Sequence, residues 1–532
     1  MELVALLASL FLVSVSLPTS SSTSGQIFSQ CMTVQSSNYT RTSDQTIYTS
    51  NSSLYSSILQ SSQQNPRWLN STSKPLLIVT PLKESEIQAA VLCSRKLGLQ
   101  VRVRSGGHDY EGLSYLCKTP FVIIDLINLR SVKVNAADQT AWVQSGATLG
   151  ELYYSIAMKS GSLGFPAGLC PTVGIGGHFS GGGFGTLMRK HGLAADNVID
   201  ARLIDVNGRI LDRRTMGEDL FWAIRGGGGS SFGIILSWKI KLVQVPKIVT
   251  GFTVHKTLAQ GASKLVHRWQ YIADKFHEDL FIRIIIENVG SGREKKVQVS
   301  FNSLFLGGID RLVPLMDQSF PELGLQAKDC IEMSWIQSVQ YFAGFQEDQS
   351  PEVLLSRDPL WKSNFKAKSD YVKQPIPEVA LKGIWERFQQ DQTVFVIMDP
   401  YGGRMNEISE FEIPFPHRKG NLFNIQYIVK WDVNSVEETN KHIHWIRMLY
   451  RFMSPYVSKS PRGAYINYKD LDLGSNKQDN TSYLEASAWG TKYFKGNFKR
   501  LAQVKSKVDP DDFFRNEQSI PPLPALFRIT EV

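Results

Sequence analysis

Three glycine-rich passages between residues 104 and 233 constrain this chain more than any other feature. The first reads Arg104-Ser105-Gly106-Gly107-His108-Asp109-Tyr110. The second runs Gly168-Leu169-Cys170-Pro171-Thr172-Val173-Gly174-Ile175-Gly176-Gly177-His178 and continues through Gly181-Gly182-Gly183-Phe184-Gly185. The third is Arg225-Gly226-Gly227-Gly228-Gly229-Ser230-Ser231-Phe232-Gly233. Glycine lets a backbone come close to a ligand and offers bare N–H groups to a pyrophosphate. Any one passage reads as a flexible loop, whereas three within one strand-rich unit point to a cradle for a phosphate-bearing cofactor. The dinucleotide fingerprint is absent, because Gly174-Ile175-Gly176 would need a glycine where Phe179 stands.

Around these loops the apolar pattern alternates between strand and helix periods. Residues 76–79, 101–103, 121–126 and 141–145 predict strands, and residues 84–97 a helix ending at Gly98. Asp205-Val206-Asn207-Gly208, flanked by alternating apolar residues over 201–211, predicts a hairpin. Residues 75–245 thus form one α+β unit. Beyond Pro246 glycine thins out. Helices are expected over 261–276 and 436–453, with strands over 280–287, 296–305, 393–398 and 423–431 between them. That is a second domain with an antiparallel sheet covered by helices. Residues 26–72, rich in Ser, Thr and Asn, read as helices and loops laid over a core, and residues 483–522 as a helix and a Pro-rich end.

The excess of Lys and Arg (58) over Asp and Glu (49) is dilute over 532 residues. No basic run suggests a nucleic-acid groove, although the surplus suits loose retention by polyanionic polysaccharide. Residues 3–17 are almost wholly apolar and lead into Pro18-Thr19-Ser20-Ser21-Ser22, the shape of a signal peptide, with Glu2 in place of the usual basic start. The stretch is shorter than the ~20 residues of a spanning helix, and no later segment qualifies, so a membrane anchor is not expected. Cleavage is placed at residues 19–25. Sequons at Asn38, Asn51, Asn70 and Asn480 fit a secreted glycoprotein. Five cysteines (Cys31, Cys93, Cys117, Cys170 and Cys330) are too few for a stapled scaffold, and their odd number gives at least one another use. No CxxC or HExxH pair supports a metal.

The order Arg-Ser-Gly-Gly-His-Asp-Tyr, Gly-x-Cys-Pro-x-Val-Gly-x-Gly-Gly-His and Glu-Asp-Leu-Phe-Trp-Ala-x-Arg-Gly-Gly-Gly resembles the berberine bridge enzyme-like family of vanillyl-alcohol-oxidase-type flavoproteins. The likeness continues through Ala464-Tyr465-Ile466-Asn467-Tyr468-Lys469-Asp470 and Asp512-Phe513-Phe514-Arg515-Asn516-Glu517-Gln518. It implies an FAD-binding PCMH-type α+β fold. Residues 1–25 would be the signal peptide, 26–72 a segment completing the FAD domain, and 73–247 the FAD domain itself. Residues 248–475 would be the substrate domain, and 476–532 a C-terminal segment returning to the FAD domain. It further implies FAD attached twice, to the flavin 8α carbon by His108 and to carbon 6 by Cys170. Arg104, Ser105, Gly106, Gly107, Asp109, Tyr110, Gly174, Gly176, Gly177, His178, Gly182, Gly183 and Asn516 would complete the cofactor site. It pairs Cys31 with Cys93 and leaves Cys117 and Cys330 free. Val173, at the position governing oxygen access, implies an oxidase that makes hydrogen peroxide. The family precedent is a monomer.

For the substrate, Tyr468 corresponds to the usual catalytic base, although a free tyrosine titrates near ~10. Gln426 stands where ring-closing members carry a glutamate base, and an amide cannot take a proton, which argues against alkaloid bridge formation. Phe184 and Asn424 replace the tyrosine and lysine often seen in monolignol oxidisers and look more like the oligosaccharide oxidases, cellodextrin oxidases above all. The expected reaction is oxidation of a reducing-end anomeric carbon to a lactone in the apoplast and cell wall, with Gln426 orienting the substrate. Oxidation of a monolignol or another allylic or benzylic alcohol is the alternative. A catalytically silent, flavin-bearing wall glycoprotein is a third, opposed by the intact Tyr468, Gln426 and Val173.

Overall fold

The structure, a computed structural model, describes residues 24–35, 46–290, 295–358, 362–390, 394–477 and 482–524. Residues 1–23 of the expected signal segment and the sequons Asn38 and Asn480 lie outside these, while Asn51 and Asn70 are exposed. The last two residues of the expected signal segment open the helix Ser24–Gln35.

The first sheet runs Ile47–Thr49, Leu77–Val79, Phe121–Asp125, Gln100–Arg104. Its first pair is antiparallel and the others are parallel. Parallel strands are covered on both faces, and Phe121–Asp125 is accordingly buried throughout. Helix Glu84–Lys96 packs Ile87, Ala90 and Val91 into this core. It places Glu84 and Glu86 in its first turn and Arg95 and Lys96 in its last, the order its dipole favours. The Cys31–Cys93 disulfide ties the N-terminal helix to it, and Cys117, Cys170 and Cys330 are free. Strand Ile47–Thr49 lies where helices and loops are expected. It is a three-residue edge, too short to carry a periodic signal.

The second sheet is antiparallel, in the order Val132–Asn135, Thr140–Gln144, Ile234–Lys241, Val198–Ile204, Ile210–Leu211. The hairpin falls where the sequence places it. Gly208 N–H bonds to Asp205 O and Asp205 N–H to Arg209 O, with Gly208 at φ +73°. This is a three-residue loop closed by a left-handed glycine, further fixed by the Asp205 carboxylate, which accepts from Asn207 and Arg209 N–H.

The third sheet has seven antiparallel strands: Cys330–Met333, Val249–Thr257, Lys296–Phe305, Leu280–Val289, Val394–Pro400, Phe423–Trp431, Asn364–Val372. Helices Ala262–Trp269, Ile309–Ser319, Glu378–Phe388 and Val436–Met453 cover one face over a core that includes Trp269, Ile284, Trp385 and Ile446. The helix expected over 261–276 stops at Trp269. Beyond it the chain tightens into three-residue turns, with Tyr271 N–H on Arg268 O, Ile272 N–H on Trp269 O and Lys275 N–H on Ile272 O. The Arg189 guanidinium then takes the carbonyls of Phe276 (2.6 Å), Leu280 (2.9 Å) and Tyr401 (2.9 Å). Phe276 O is thus bonded across the domain seam rather than within a helix. The C-terminal part holds two helices, Tyr483–Phe494 and Asn497–Val508, where one is expected. They return to the glycine-rich half, where Phe498 and Leu501 join Leu220 and Phe221 in one core.

Candidate active site

A cavity of about 520 Å³ lies between the glycine-rich loops and the uncovered face of the seven-stranded sheet. The loops must approach one another closely to form it. A Cβ on Gly106 would stand 2.4 Å from Gly174 N, and one on Gly107 only 1.6 Å from Ser62 O, at φ +71°. No other residue fits either place.

Ser105 to Tyr110 form one wall, and Gly168, Cys170, Val173, Gly174, Gly176, Gly177 and His178 another. Thr172 gathers the two side chains singled out for covalent chemistry. Its Oγ1 lies 3.0 Å from His108 Nε2 and 3.4 Å from Cys170 Sγ. Burial lowers the His108 pKa to about 4, against the pull of its contact with Thr172, so the imidazole is neutral and keeps a lone pair. His178 is also neutral, with its pKa at about 4 through burial, and its Nε2 accepts from Gly168 N–H at 2.9 Å. His178 therefore holds the backbone that carries Cys170. Asp109 caps its own loop by accepting from Glu111 and Leu113 N–H. Asn516 lines the cavity beside Phe514 and Arg515.

Three expected cofactor residues lie elsewhere. Arg104 points to the other side of its strand, where Asp125 accepts at 2.6 Å and the carbonyls of Ile58 and Leu59 at 2.7 Å each. These bonds commit the whole guanidinium there, while Val101, Arg102, Val103 and Ser105 line the cavity. Gly182 packs against Phe415, and Gly183 against His178. Their left-handed conformations shape the turn rather than line the cavity.

Tyr468 faces Tyr110 with the rings 5.8 Å apart and 6° from parallel, and Phe184 meets Tyr468 edge-on at 6.2 Å. Gln426 Nε2 donates to Tyr110 Oη at 2.7 Å, so this amide positions the aromatic pair as well as lining the cavity. Burial pushes the Tyr468 phenol well above its ordinary range, with Asp399, Tyr110 and Tyr465 adding to the rise and Arg283 opposing it. Phe281, Arg283, Ile397, Asp399 and Gln426 form the sheet side of the cavity. Asn424, expected in the substrate pocket, is fully buried beside Asp399 in the ladder and is not among the cavity-lining residues.

A sequence profile described as an FAD binding domain matches residues 75–213, and one described as berberine and berberine like matches residues 464–521. Berberine bridge enzyme-like 22 of Arabidopsis thaliana is 58% identical over 93% of this chain and 94% of its own length. The chain belongs to the berberine bridge enzyme-like family. A further relative is the tetrahydroberberine oxidase of Berberis wilsoniae, 56% identical over 97% of this chain and 98% of that one. Among solved structures, the grass pollen allergen Phl p 4, described as having glucose dehydrogenase activity, superposes with a TM-score of 0.88. It is 46% identical over 93% of this chain and 99% of that one. Members of this family are FAD-dependent oxidoreductases, and the cavity here fits that cofactor. Ser145 Oγ and Ser114 Oγ line it, buried and without a hydrogen-bond partner among the described residues, as groups do that are kept for a ligand.

Sequence reasoning missed Thr172, Arg283 and Asp399 in this berberine bridge enzyme-like site. Thr172 left no signal beyond its place in the Cys170 motif. The other two did. Arg283 interrupts the apolar run 280–286 and Asp399 ends the run 394–398, and charge within a buried-type strand asks for a partner or a ligand.

Proposed function

We propose that this protein is a secreted oxidase that converts the reducing-end anomeric carbon of oligosaccharides, cellodextrins above all, to the lactone. FAD would be attached through both His108 and Cys170, with O₂ as electron acceptor. The observation that carries the reading is the make-up of the substrate face. Arg283, Asp399 and Gln426 supply donors and acceptors beside the rings of Phe184, Tyr110 and Tyr468. A pyranose offers the match, with hydroxyls around its edge and C–H groups on its faces. Phl p 4, a glucose dehydrogenase, supports a sugar, and a single isoleucine-to-valine variant of it is described as a glucose oxidase. Val173 lines the cavity here, in keeping with an oxidase. Exposed Asn51 and Asn70 and the Cys31–Cys93 disulfide support secretion to the apoplast.

FAD, when bound, takes a hydride from the reacting carbon and passes the electrons to oxygen. The chain itself handles the proton. Tyr468 Oη accepts it from the anomeric hydroxyl and must be a phenolate to do so. Arg283 favours that phenolate, whereas burial and Asp399 disfavour it. The working fraction therefore grows as pH rises. We expect kcat/KM for cellobiose to climb about tenfold per pH unit from neutrality into the alkaline range, a single-proton dependence. We also expect Arg283→Met to move the climb to higher pH. A profile flat between pH 6 and 9 would contradict Tyr468 as the base. Gln426 holds Tyr110 parallel to Tyr468 and keeps the geometry of transfer.

A second reading, oxidation of an allylic or benzylic alcohol or of a tetrahydroprotoberberine, is favoured by the relatives named as a monolignol oxidoreductase and tetrahydroberberine oxidases. Peroxide release from cellobiose, cellotetraose, coniferyl alcohol and tetrahydroberberine separates the two. Turnover of the cellodextrins is expected. Turnover of either other substrate without them would overturn the sugar reading.

A further inference from the structure

Alternation along antiparallel strands sends every second side chain to the same face, and residues paired across the ladder sit side by side. Ile284 pairs with Met398, Ile397 with Gln426, and Asp399 with Asn424. Arg283 therefore comes next to Asp399 on the cavity side, and Asn424 flanks Asp399 on the other. Arg283 is fixed from behind. Its Nε donates to Asn302 Oδ1 at 2.8 Å, and Asn302 Nδ2 donates to Thr253 Oγ1 at 2.8 Å.

The Arg283 guanidinium also lies over the Phe342 ring, 5.5 Å from its centre. Among the described residues its two Nη groups make no hydrogen bond, and the Asp399 carboxylate has neither a hydrogen bond nor an ion pair within 4 Å. Asp399 is 4% exposed and lines the cavity. Both ends of the Asn424 amide are also buried without a partner. The Asp399 carboxylate opens on the cavity rather than on closed protein, which leaves it free to meet a ligand. Burial pushes the Asp399 pKa up to about 6, with Arg283 opposing, so the carboxylate is ionised above that pH. An anionic acceptor beside a fixed cationic donor, too far apart to satisfy each other, suits a ligand that donates to one and accepts from the other. Two neighbouring hydroxyls of a sugar ring do this.

We propose that Asp399 and Arg283 are the sugar-reading pair of this site: the Asp399 carboxylate accepts a hydrogen bond from one secondary hydroxyl of the pyranose, and Arg283 donates to its neighbour. The inference rests on the sugar-oxidase reading and deepens it by naming what selects the sugar. It gives Asp399 a binding role separate from proton transfer by Tyr468, and gives Arg283 a binding role beside its support of the Tyr468 phenolate.

The test uses the flavin-loaded full chain, with glucose, its 2-, 3- and 6-deoxy analogues and cellobiose as probes. The parent enzyme discriminates against the analogue lacking the hydroxyl that Asp399 reads. Asp399→Asn lowers kcat/KM for glucose and cellobiose by about tenfold to a hundredfold, mainly through KM, as expected for a hydrogen bond to a charged group. The one deoxy analogue is handled equally by parent and variant. Arg283→Gln, with the same series, loses discrimination at a different position. It also decides the matter if Asp399→Asn does not fold, which flavin content and melting temperature reveal. An equal loss on every analogue would make Asp399 a base or a structural group and overturn the proposal, as would no loss on any. A parent that oxidises coniferyl alcohol and no sugar would overturn the substrate reading itself. A parent that oxidises sugars while both variants keep its deoxy pattern would overturn only the pair.

Discussion

Replacing Tyr468 with phenylalanine is expected to slow reduction of the flavin by cellobiose by about 10²–10⁴-fold, the usual range for loss of a positioned acid–base group. The change removes one oxygen and leaves the ring. The 5.8 Å stack on Tyr110 and the contact with Phe184 therefore remain, and substrate affinity and flavin content should hold. The neighbouring phenols cannot substitute: Tyr110 Oη accepts from Gln426, and Tyr465 Oη accepts from Gly183 N–H and Asn467. Burial also raises the pKa of both. Anaerobic stopped-flow mixing with cellobiose, followed at the flavin absorbance, checks this. Reduction at the parent rate would move the base elsewhere, with Asp399 the first alternative.

The largest structural effect is expected at Arg104. The Arg104–Asp125 pair is wholly buried, at 0% and 1% side-chain exposure, and the same guanidinium serves the carbonyls of Ile58 and Leu59. Arg104→Met leaves the Asp125 carboxylate without its cation and two carbonyls without donors. Breaking a buried pair from one side costs about 3–5 kcal/mol, most of it the stranded charge. The thermal and urea midpoints should fall accordingly. The double variant Arg104→Met with Asp125→Asn should recover much of the loss. If Arg104 instead gripped the cofactor, flavin affinity would drop and stability of the apoprotein would not.

The long elements could be read from the residues because their patterns are local. The strand runs at 296–305 and 423–431 and the helix at 436–453 fall where periodicity puts them. The hairpin at Asp205 was legible from Asn207-Gly208, while the Asp205 carboxylate bonds that fix its loop belong to the folded turn. The helix ending at Trp269 was illegible for a different reason. The apolar period runs on past Trp269, but the backbone switches there to three-residue turns, and the Phe276 and Leu280 carbonyls are taken by Arg189 from the other half of the chain. The site divided in the same way. His108, Cys170 and Tyr468 were visible through their motifs. Arg104, though in the same motif, is drawn to Asp125 and the Ile58 and Leu59 carbonyls, partners the motif does not name. Arg283 and Asp399 lie about 116 positions apart and become neighbours only through the ladder between their strands.

One flavin would be bonded to both loops of the cradle, where Thr172 holds His108 and Cys170 within 3.0 and 3.4 Å of a single hydroxyl. Proteolysis of the purified protein followed by peptide mass measurement addresses this directly. One flavin joining the peptide that contains His108 to the peptide that contains Cys170 is the expected result. Both peptides at their unmodified masses, with all the FAD recovered free after acid denaturation, would contradict it.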